Sequence, residues 1–186
     1  MRFRPSRWAA LLLAAALSAP LAGHAAPPAK NVIIMIGDGM GPSHFLAARL
    51  FSQRQLGRDL HIAQMMQRKC CTAFVVNDTA DAIVTESAAA AGQMATGQRM
   101  LAGAISMGPD GKTPATTIME LARRQGKATG LVTTSGITDA TPAAFAAHVS
   151  KRSDEASIAE QQLAFGVDVL FGGRRPSVVP LVFEAL

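Results

Sequence analysis

The chain has 186 residues, which suits one ordinary domain with a hydrophobic core of its own. It carries 18 basic and 13 acidic residues, a formal net charge of +5, but Arg2, Arg4 and Arg7 of the extreme N-terminus contribute three of the positive charges. With a single Trp, no Tyr and no basic stripe, the composition argues against a nucleic-acid partner.

The first 25 residues have the layout of a secretory signal peptide. The three arginines form a positive n-region, the apolar run Trp8–Leu17 follows, and small residues surround Ala25. The alternative is a membrane anchor, but this run is shorter than the roughly 20 apolar residues that span a bilayer. The sequence therefore predicts cleavage after Ala25, no stable membrane anchor, and export of residues 26–186 to the periplasm or outside the cell.

Short apolar runs alternate with helical patterns along the rest of the chain. Strands are predicted at residues 31–36, 71–76, 128–133 and 167–171. Helices are predicted at residues 42–54, 85–96, 116–125, 142–149 and 154–164, with a loop at 98–113. This alternation indicates an α/β class with a mainly parallel sheet flanked by helices. Ligands of such sheets bind beyond the carboxyl ends of the strands.

Two adjacent cysteines, Cys70 and Cys71, precede the second apolar run. A disulfide between neighbours is strained, because disulfides prefer well-separated Cα atoms. No CxxC motif is present, so the pair does not indicate a zinc site. We expect buried strand thiols.

The first candidate segment is the turn Gly37–Gly41 (GDGMG) after the first predicted strand. Asp38 is expected to point into the crevice, where its carboxylate oxygens suit Mg²⁺ or Zn²⁺. The alternative is a tight turn in which Asp38 is only a cap. The segment lacks the GxGxxG spacing of dinucleotide-binding proteins.

The second candidate segment is Thr85–Ala91 (TESAAAA), the start of an alanine-rich helix. Ser87 falls in the first turn, where free N–H groups and the helix dipole favour an anion such as phosphate. The alternative is that Thr85 or Ser87 is an N-cap. Because no GxSxG motif or nearby histidine is present, a metal ion is the expected activator of a Ser87 nucleophile.

The third candidate segment begins at Asp139 and reaches Arg152. Pro142 suits the first helical position, which predicts Thr141 as the N-cap. Asp139 and Thr141 are spaced to share one hard cation, although Asp139 alternatively stabilises the turn. Arg152 can clamp two phosphate oxygens, or it is a solvated surface charge.

Together the segments GDGMG, TESAAAAGQMATG and TDATPAAFAAHVSKR closely resemble alkaline phosphatase, in this order. The resemblance continues through SIAEQQLAFGVDVLFGG and so covers nearly the whole mature chain. It implies a large α/β sandwich that hydrolyses small-molecule phosphate monoesters with two Zn²⁺ and one Mg²⁺ per active site. A homodimer is compatible with a full-length chain of this family.

The resemblance implies a role for each matching residue. Asp38 matches the aspartate that bridges the magnesium and one zinc. Ser87 matches the nucleophile that becomes phosphoserine, and its oxygen binds that zinc. Asp139 and Thr141 match magnesium ligands, while Arg152 matches the arginine that holds the phosphate oxygens. A zinc-bound hydroxide then hydrolyses the phosphoserine.

The sequence departs from the family pattern in two respects. Glu86 stands where many members have Asp, and its longer reach is expected to change the positioning of Arg152. The family chain is also longer, and its later part supplies the remaining metal ligands. No histidine here matches a zinc-ligand motif, so structural or exposed positions are expected for the three outside the leader, His44, His61 and His148.

We therefore expect a truncated alkaline phosphatase with little or no activity as the 186-residue chain alone. A second hypothesis is a non-catalytic remnant that binds metal or phosphate weakly. A third is a phosphodiesterase or sulfatase of the same superfamily. The DATPAA segment and the surroundings of Ser87 favour the monoesterase.

Overall fold

A computed structural model describes residues 29–68 and 71–173. The predicted signal peptide and Cys70 lie outside the described residues. The chain divides into two units, Met1–Ile36 and Gly37–Leu186. Within the described residues, no helix is both long enough and apolar enough to span a bilayer.

The regular elements of the described residues all lie in the second unit. In chain order they are α1 (Pro42–Leu56), α2 (His61–Gln67), α3 (Ser87–Thr96), α4 (Ile118–Arg124), β1 (Gly130–Gly136), α5 (Ala140–Ala146), α6 (Glu155–Phe165) and β2 (Val169–Gly173). Strands β1 and β2 pair in parallel, with Leu131 opposite Leu170. The connection between them carries α5 and α6. Parallel strands joined through helices confirm the predicted α/β class.

The core that positions the candidate site is made of small side chains. Buried alanines of α3 and α5 meet two β-branched residues from loop segments and one from α6; the cluster contains Ala88, Ala91, Ile105, Ala140, Ala143, Ala144, Ala147, Val149 and Ile158. Alanine lets two helices approach closely, because no long side chain separates their backbones. The starts of α3 and α5, and with them Ser87 and Asp139, are therefore held in fixed positions by the core.

The segment that leads to Arg152 is fixed to the same core. Ile105 and Val149 form an isolated antiparallel bridge, in which each donates its N–H to the carbonyl oxygen of the other at 2.8 and 3.1 Å. Both side chains are buried. The backbone three residues before Arg152 is thus anchored beside α3.

Two of the four predicted strands are wrong. Residues 31–36 and 71–76 form no regular element, and most of their apolar side chains are exposed, to 85% at Ile33 and 97% at Phe74. An apolar run becomes a strand only where a neighbour takes up its backbone hydrogen bonds. Among the described residues, strand pairing is confined to β1 with β2 and two isolated bridges. Cys71 is accordingly an exposed free thiol rather than a buried one.

The helix predictions hold better, although the sequence pattern gave no helix at α2 and placed the start of α5 too late. Helix α1 begins at Pro42 and α3 ends before Gly97, as predicted. Helix α5 begins two residues earlier than expected, because Asp139 rather than Thr141 is its N-cap. The Asp139 carboxylate accepts the N–H of Ala140 at 2.8 Å. Pro142 then lies inside the first turn, where an N–H has no intrahelical partner and its loss is tolerated.

Candidate active site

Ser87 is the first residue of α3, and the residue before it caps the helix. Glu86 has extended backbone geometry, and its two carboxylate oxygens accept the N–H groups of Ala88 and Ala89, both at 2.8 Å. The sequence suggested Thr85 or Ser87 as the cap and these N–H groups as anion ligands. Because the N–H groups of Ala88 and Ala89 already donate to Glu86, other groups have to neutralise the charge of a bound phosphate.

The carboxylate of Glu86 joins the helix start to two other parts of the chain. Its Oε1 also accepts the backbone N–H of Gly103 at 2.9 Å, and its Oε2 accepts Nη1 of Arg152 at 2.8 Å. Burial is the largest single influence on this group and favours protonation. Four hydrogen bonds together outweigh the effect of burial and hold the pKa of Glu86 below its ordinary value. Their donors are Gly103, Ala89, Ala88 and Arg152.

Arg152 is the centre of the cluster. Its Nη1 donates to Oγ of Ser87 at 2.7 Å as well as to Glu86, and its Nη2 donates to Oδ1 of Asp139 at 2.8 Å. Its backbone N–H donates to the carbonyl oxygen of Gly103 at 2.8 Å. The side chain is 38% exposed, so it reaches solvent while two carboxylates hold it. A guanidinium fixed in this way presents its charge directly beside the Ser87 hydroxyl.

Asp139 is surrounded by donors on both of its oxygens. Ser135 donates its hydroxyl to Oδ2 at 2.5 Å, and Ala140 N–H and Arg152 Nη2 both donate to Oδ1 at 2.8 Å. The hydrogen bond from Ser135 is the largest influence on the pKa of Asp139. With Ala140 and Arg152 it outweighs burial and lowers that pKa below its ordinary value.

Asp38 and Thr141 meet across 103 residues of chain. The hydroxyl of Thr141 donates to Oδ2 of Asp38 at 2.7 Å, on the exposed side of the cluster. Thr141 lies in the first turn of α5, two residues after Asp139. The structure thus gathers the predicted site residues into two contacts, one around Arg152 and one between Asp38 and Thr141, joined by α5.

The donor chemistry of this region suits a hard cation. Asp38, Asp139 and Thr141 offer carboxylate and hydroxyl oxygens, and Mg²⁺ commonly takes one or two carboxylates while keeping several waters. Within residues 29–68 and 71–173, no group of three or more His, Cys, Asp or Glu side chains is arranged to hold a metal ion. By donor type Asp38, Asp139 and Thr141 fit Mg²⁺, but they include no histidine or cysteine, which most zinc sites use.

The histidines of the described residues take no part in this cluster. His148 is half-buried, with Nδ1 2.8 Å from a backbone carbonyl oxygen and Nε2 3.2 Å from Oε1 of Glu120. His44 accepts the N–H of Gly41 at 3.3 Å, and His61 is exposed at the start of α2. These contacts are those of structural or surface residues.

Sequence reasoning missed Ser135, Gly103 and the capping role of Glu86. Glu is not among the preferred N-cap residues, so the pattern before α3 gave no signal for it. Gly103 acts through its backbone N–H and carbonyl oxygen, and the sequence of a loop does not reveal which groups these atoms contact. Ser135 gave one weak signal, a hydroxyl residue at the carboxyl end of a predicted strand.

Comparisons with known proteins agree on one family. The family model described as alkaline phosphatase matches residues 29–182. Streptomycin-6-phosphate phosphatase of Streptomyces griseus is 41% identical over 165 aligned positions, and the match covers 78% of this chain and 36% of that protein. The chain spans about a third of the length of the curated relatives that it matches.

Solved structures give the same family. The cold-active alkaline phosphatase from the psychrophile Shewanella sp. superposes with a TM-score of 0.69 at 34% identity, over 81% of this chain and 38% of that one. A variant of alkaline phosphatase from the Antarctic bacterium TAB5, solved with Mg bound in its M3 site, has a TM-score of 0.51 at 30% identity, over 59% of this chain and 34% of that one.

Proposed function

This chain belongs to the alkaline phosphatase family, whose members are metal-dependent phosphatases, and we propose that it hydrolyses phosphate monoesters through a phosphoserine formed at Ser87. The single observation that carries the proposal is the 2.7 Å hydrogen bond from Arg152 to Oγ of Ser87. A relative named for a phosphate monoester of streptomycin supports this ester class.

The position of Arg152 supports binding of the phosphoryl group at Ser87. Its guanidinium is held by Glu86 and Asp139 and lies beside the nucleophile before any substrate arrives. A preoriented donor of this kind lowers the free energy of a transition state in which negative charge spreads over the phosphoryl oxygens. Arg152 therefore has the role of orienting the phosphoryl group and neutralising part of its charge.

The formal charges around Ser87 explain why a cation is needed. Two carboxylates, those of Glu86 and Asp139, hold the guanidinium of Arg152, and a third, that of Asp38, bonds Thr141 in the first turn of the helix that Asp139 caps. A phosphate ester that enters such a site meets net negative charge, and like charges a few ångströms apart repel strongly. We propose that Asp38, Thr141 and Asp139 hold Mg²⁺, which would supply the missing positive charge.

The reaction has two balanced steps. Oγ of Ser87 attacks phosphorus while its proton leaves to water, and the phosphorus–oxygen bond to the alcohol breaks with uptake of a proton by the alcohol. Water then attacks the phosphoserine, which releases inorganic phosphate and restores the Ser87 hydroxyl. Arg152 stays beside Ser87 throughout and donates to whichever oxygens carry the charge. The predicted signal peptide would place this activity in the periplasm or outside the cell.

The experiment is chemical trapping of the intermediate. The 186-residue chain is incubated with Mg²⁺, Zn²⁺ and an aryl phosphate, quenched in acid, and its peptides are analysed by mass spectrometry. Turnover by this chain alone is expected to be slight, because its described residues contain no group of three or more His, Cys, Asp or Glu side chains fit to hold a metal ion, so the trapped intermediate is the readout. We expect phosphoserine at Ser87, none in Ser87→Ala, and an undiminished amount in the control Ser150→Ala, whose hydroxyl bonds the carbonyl oxygen of Gly111. Product release that persists in Ser87→Ala would contradict the proposal, and a preference for diesters or sulfate esters in parallel reactions would change the substrate class.

A second candidate is binding of phosphate or Mg²⁺ without turnover. It is favoured by the observation that residues 29–68 and 71–173 contain no group of three or more His, Cys, Asp or Glu side chains fit to hold a metal ion. Calorimetry with inorganic phosphate, run beside the trapping experiment, separates the two. Heat of binding without phosphoserine or product identifies the binding protein, whereas phosphoserine excludes it.

A further inference from the structure

We propose that Ser135 is a positioning residue that fixes the carboxylate of Asp139, so that Oδ1 serves Arg152 and Oδ2 is presented to a divalent cation. The inference rests on the proposed function, since it concerns how the same site is organised. None of the sequence motifs that indicate the site includes Ser135, which lies at the end of β1.

The hydrogen bonds of Asp139 divide its two oxygens between two tasks. A carboxylate oxygen accepts about two hydrogen bonds. Oδ1 already accepts from Ala140 N–H and from Arg152 Nη2, so its capacity is used. Oδ2 accepts from the Ser135 hydroxyl, which leaves one lone pair free as far as the described residues are concerned. A cation that approaches Asp139 is therefore directed to Oδ2.

Without Ser135 this division would be poorly defined. The torsion angle that orients an Asp carboxyl group has a broad, roughly two-fold distribution. The two oxygens therefore exchange places easily unless each is held. Ala140 and Arg152 hold only Oδ1. The hydroxyl of Ser135 donates to Oδ2 of Asp139 at 2.5 Å. Because the acceptor is an ionised carboxylate, this hydrogen bond is stronger than one between neutral groups. It opposes rotation from the other side of the carboxyl group.

The backbone around Ser135 is held by hydrogen bonds, which fixes the position of its hydroxyl. Its N–H donates to Oγ1 of Thr133 at 3.1 Å, and the next residue, Gly136, pairs with Gly173 of β2. The side chain itself is exposed. Substitution at 135 therefore leaves the core untouched and changes chiefly the contact with Asp139.

The orientation of Asp139 matters for Mg²⁺ in particular. This ion demands near-octahedral geometry at short distances, so a rotated carboxylate is a poor ligand. Groups that hydrogen-bond to a ligating carboxylate typically change metal affinity by about 10- to 100-fold when removed. The hydroxyl of Ser135 has the position of such a group.

The test uses three forms of the 186-residue chain: wild type, Ser135→Ala and Ser135→Thr, with Ser150→Ala as the control. The first measurement is nuclear magnetic resonance of the Arg152 guanidinium N–H groups without metal, which reports how tightly Asp139 holds them. The second is calorimetric titration with MgCl₂. We expect Ser135→Ala to broaden or shift the Arg152 signals and to weaken Mg²⁺ binding about tenfold. Thr, which keeps the hydroxyl, should restore both.

Each outcome decides a separate point. Unchanged Arg152 signals in Ser135→Ala, or equal behaviour of the Ala and Thr variants, would overturn the positioning role. Changed signals with unchanged Mg²⁺ affinity would overturn the link to the cation. If the wild-type chain binds no Mg²⁺ while the signals change as expected, the proposed metal site fails, but the positioning of Asp139 by Ser135 stands.

Discussion

Nη1 of Arg152 lies 2.7 Å from Oγ of Ser87, a residue 65 positions earlier in the chain. The same nitrogen lies 2.8 Å from Oε2 of Glu86, the N-cap of α3. One guanidinium nitrogen therefore serves both the candidate nucleophile and the cap of its helix. This coupling means that changes at the site are expected to alter phosphate binding and helix stability together.

Replacing Arg152 with Lys should weaken the binding of inorganic phosphate by about 10- to 100-fold. Hydrogen bonds to charged groups contribute roughly 1.5–3 kcal/mol, and an ammonium cannot donate to two carboxylates and a hydroxyl in one plane. Calorimetric titration measures the affinity. The control is Arg99→Lys, because Arg99 also pairs with an aspartate, Asp78, on an exposed surface. Equal losses in both variants would contradict a specific role for Arg152.

Replacing Glu86 with Gln should lower the free energy of unfolding by about 1–2 kcal/mol, because loss of an N-cap costs about 1 kcal/mol and the charged contact with Arg152 is lost as well. Urea unfolding followed by circular dichroism measures the change. Asp154→Asn is the matched control: Asp154 caps α6, but it accepts a single N–H at 3.2 Å. Asp154→Asn should lower the free energy of unfolding by less than Glu86→Gln does. A larger loss in Asp154→Asn would argue against Glu86 as a strong cap of α3.

The charge of Glu86 also makes the difference in free energy of unfolding between wild type and Glu86→Gln depend on pH. Its pKa is lowered in the folded chain, so its contribution is present above the unfolded pKa and is lost as the pH falls through the folded one. The stability gap between wild type and Glu86→Gln should therefore shrink as the solution is acidified. A gap that stays constant down to strongly acidic pH would show that the charge is not responsible.

Gly103 and Gly126 provide a matched pair of substitutions. Both have positive φ, 76° and 71°, and a Cβ at either position would meet nothing within 4 Å. Ala should thus destabilise the chain by about 1–2 kcal/mol at each position through backbone strain alone. Gly103 also donates its N–H to Glu86 and accepts that of Arg152. Only Gly103→Ala should therefore weaken phosphate binding, by several-fold in calorimetry; an equal effect of Gly126→Ala would refute this.

Asp110 is expected to make an identifiable contribution to acid unfolding. Hydrogen bonds from the Thr113 hydroxyl, the Thr113 N–H and the Lys112 N–H lower the pKa of Asp110 from 3.8 to about 2. Its stabilising effect is complete above the unfolded value and disappears as the pH falls through the folded one. Asp110→Asn should be less stable than wild type at neutral pH and should lose less stability between about pH 4 and 2. Parallel acid titrations by circular dichroism test this, and superimposable curves would contradict it.

Local patterns in the sequence were sufficient for most helices, because caps and breakers act over a few residues. Pro42 starts α1 and Gly97 terminates α3 through their own backbone preferences. The strands at 31–36 and 71–76 could not be decided in this way. A strand needs a partner that takes up its hydrogen bonds, and an apolar run does not say which partner is present.

The sequence by itself determined the family and the identity of Asp38, Ser87, Asp139, Thr141 and Arg152 as candidates, because their motifs are specific in type and order. Only the tertiary structure decided how they are connected. It assigned the α3 cap to Glu86, joined Arg152 to Ser87 and Asp139, and placed Ser135 on the carboxylate of Asp139. The physical reason is that hydrogen bonds depend on distances of about 3 Å between groups far apart in the chain, and only packing of the helices sets those distances.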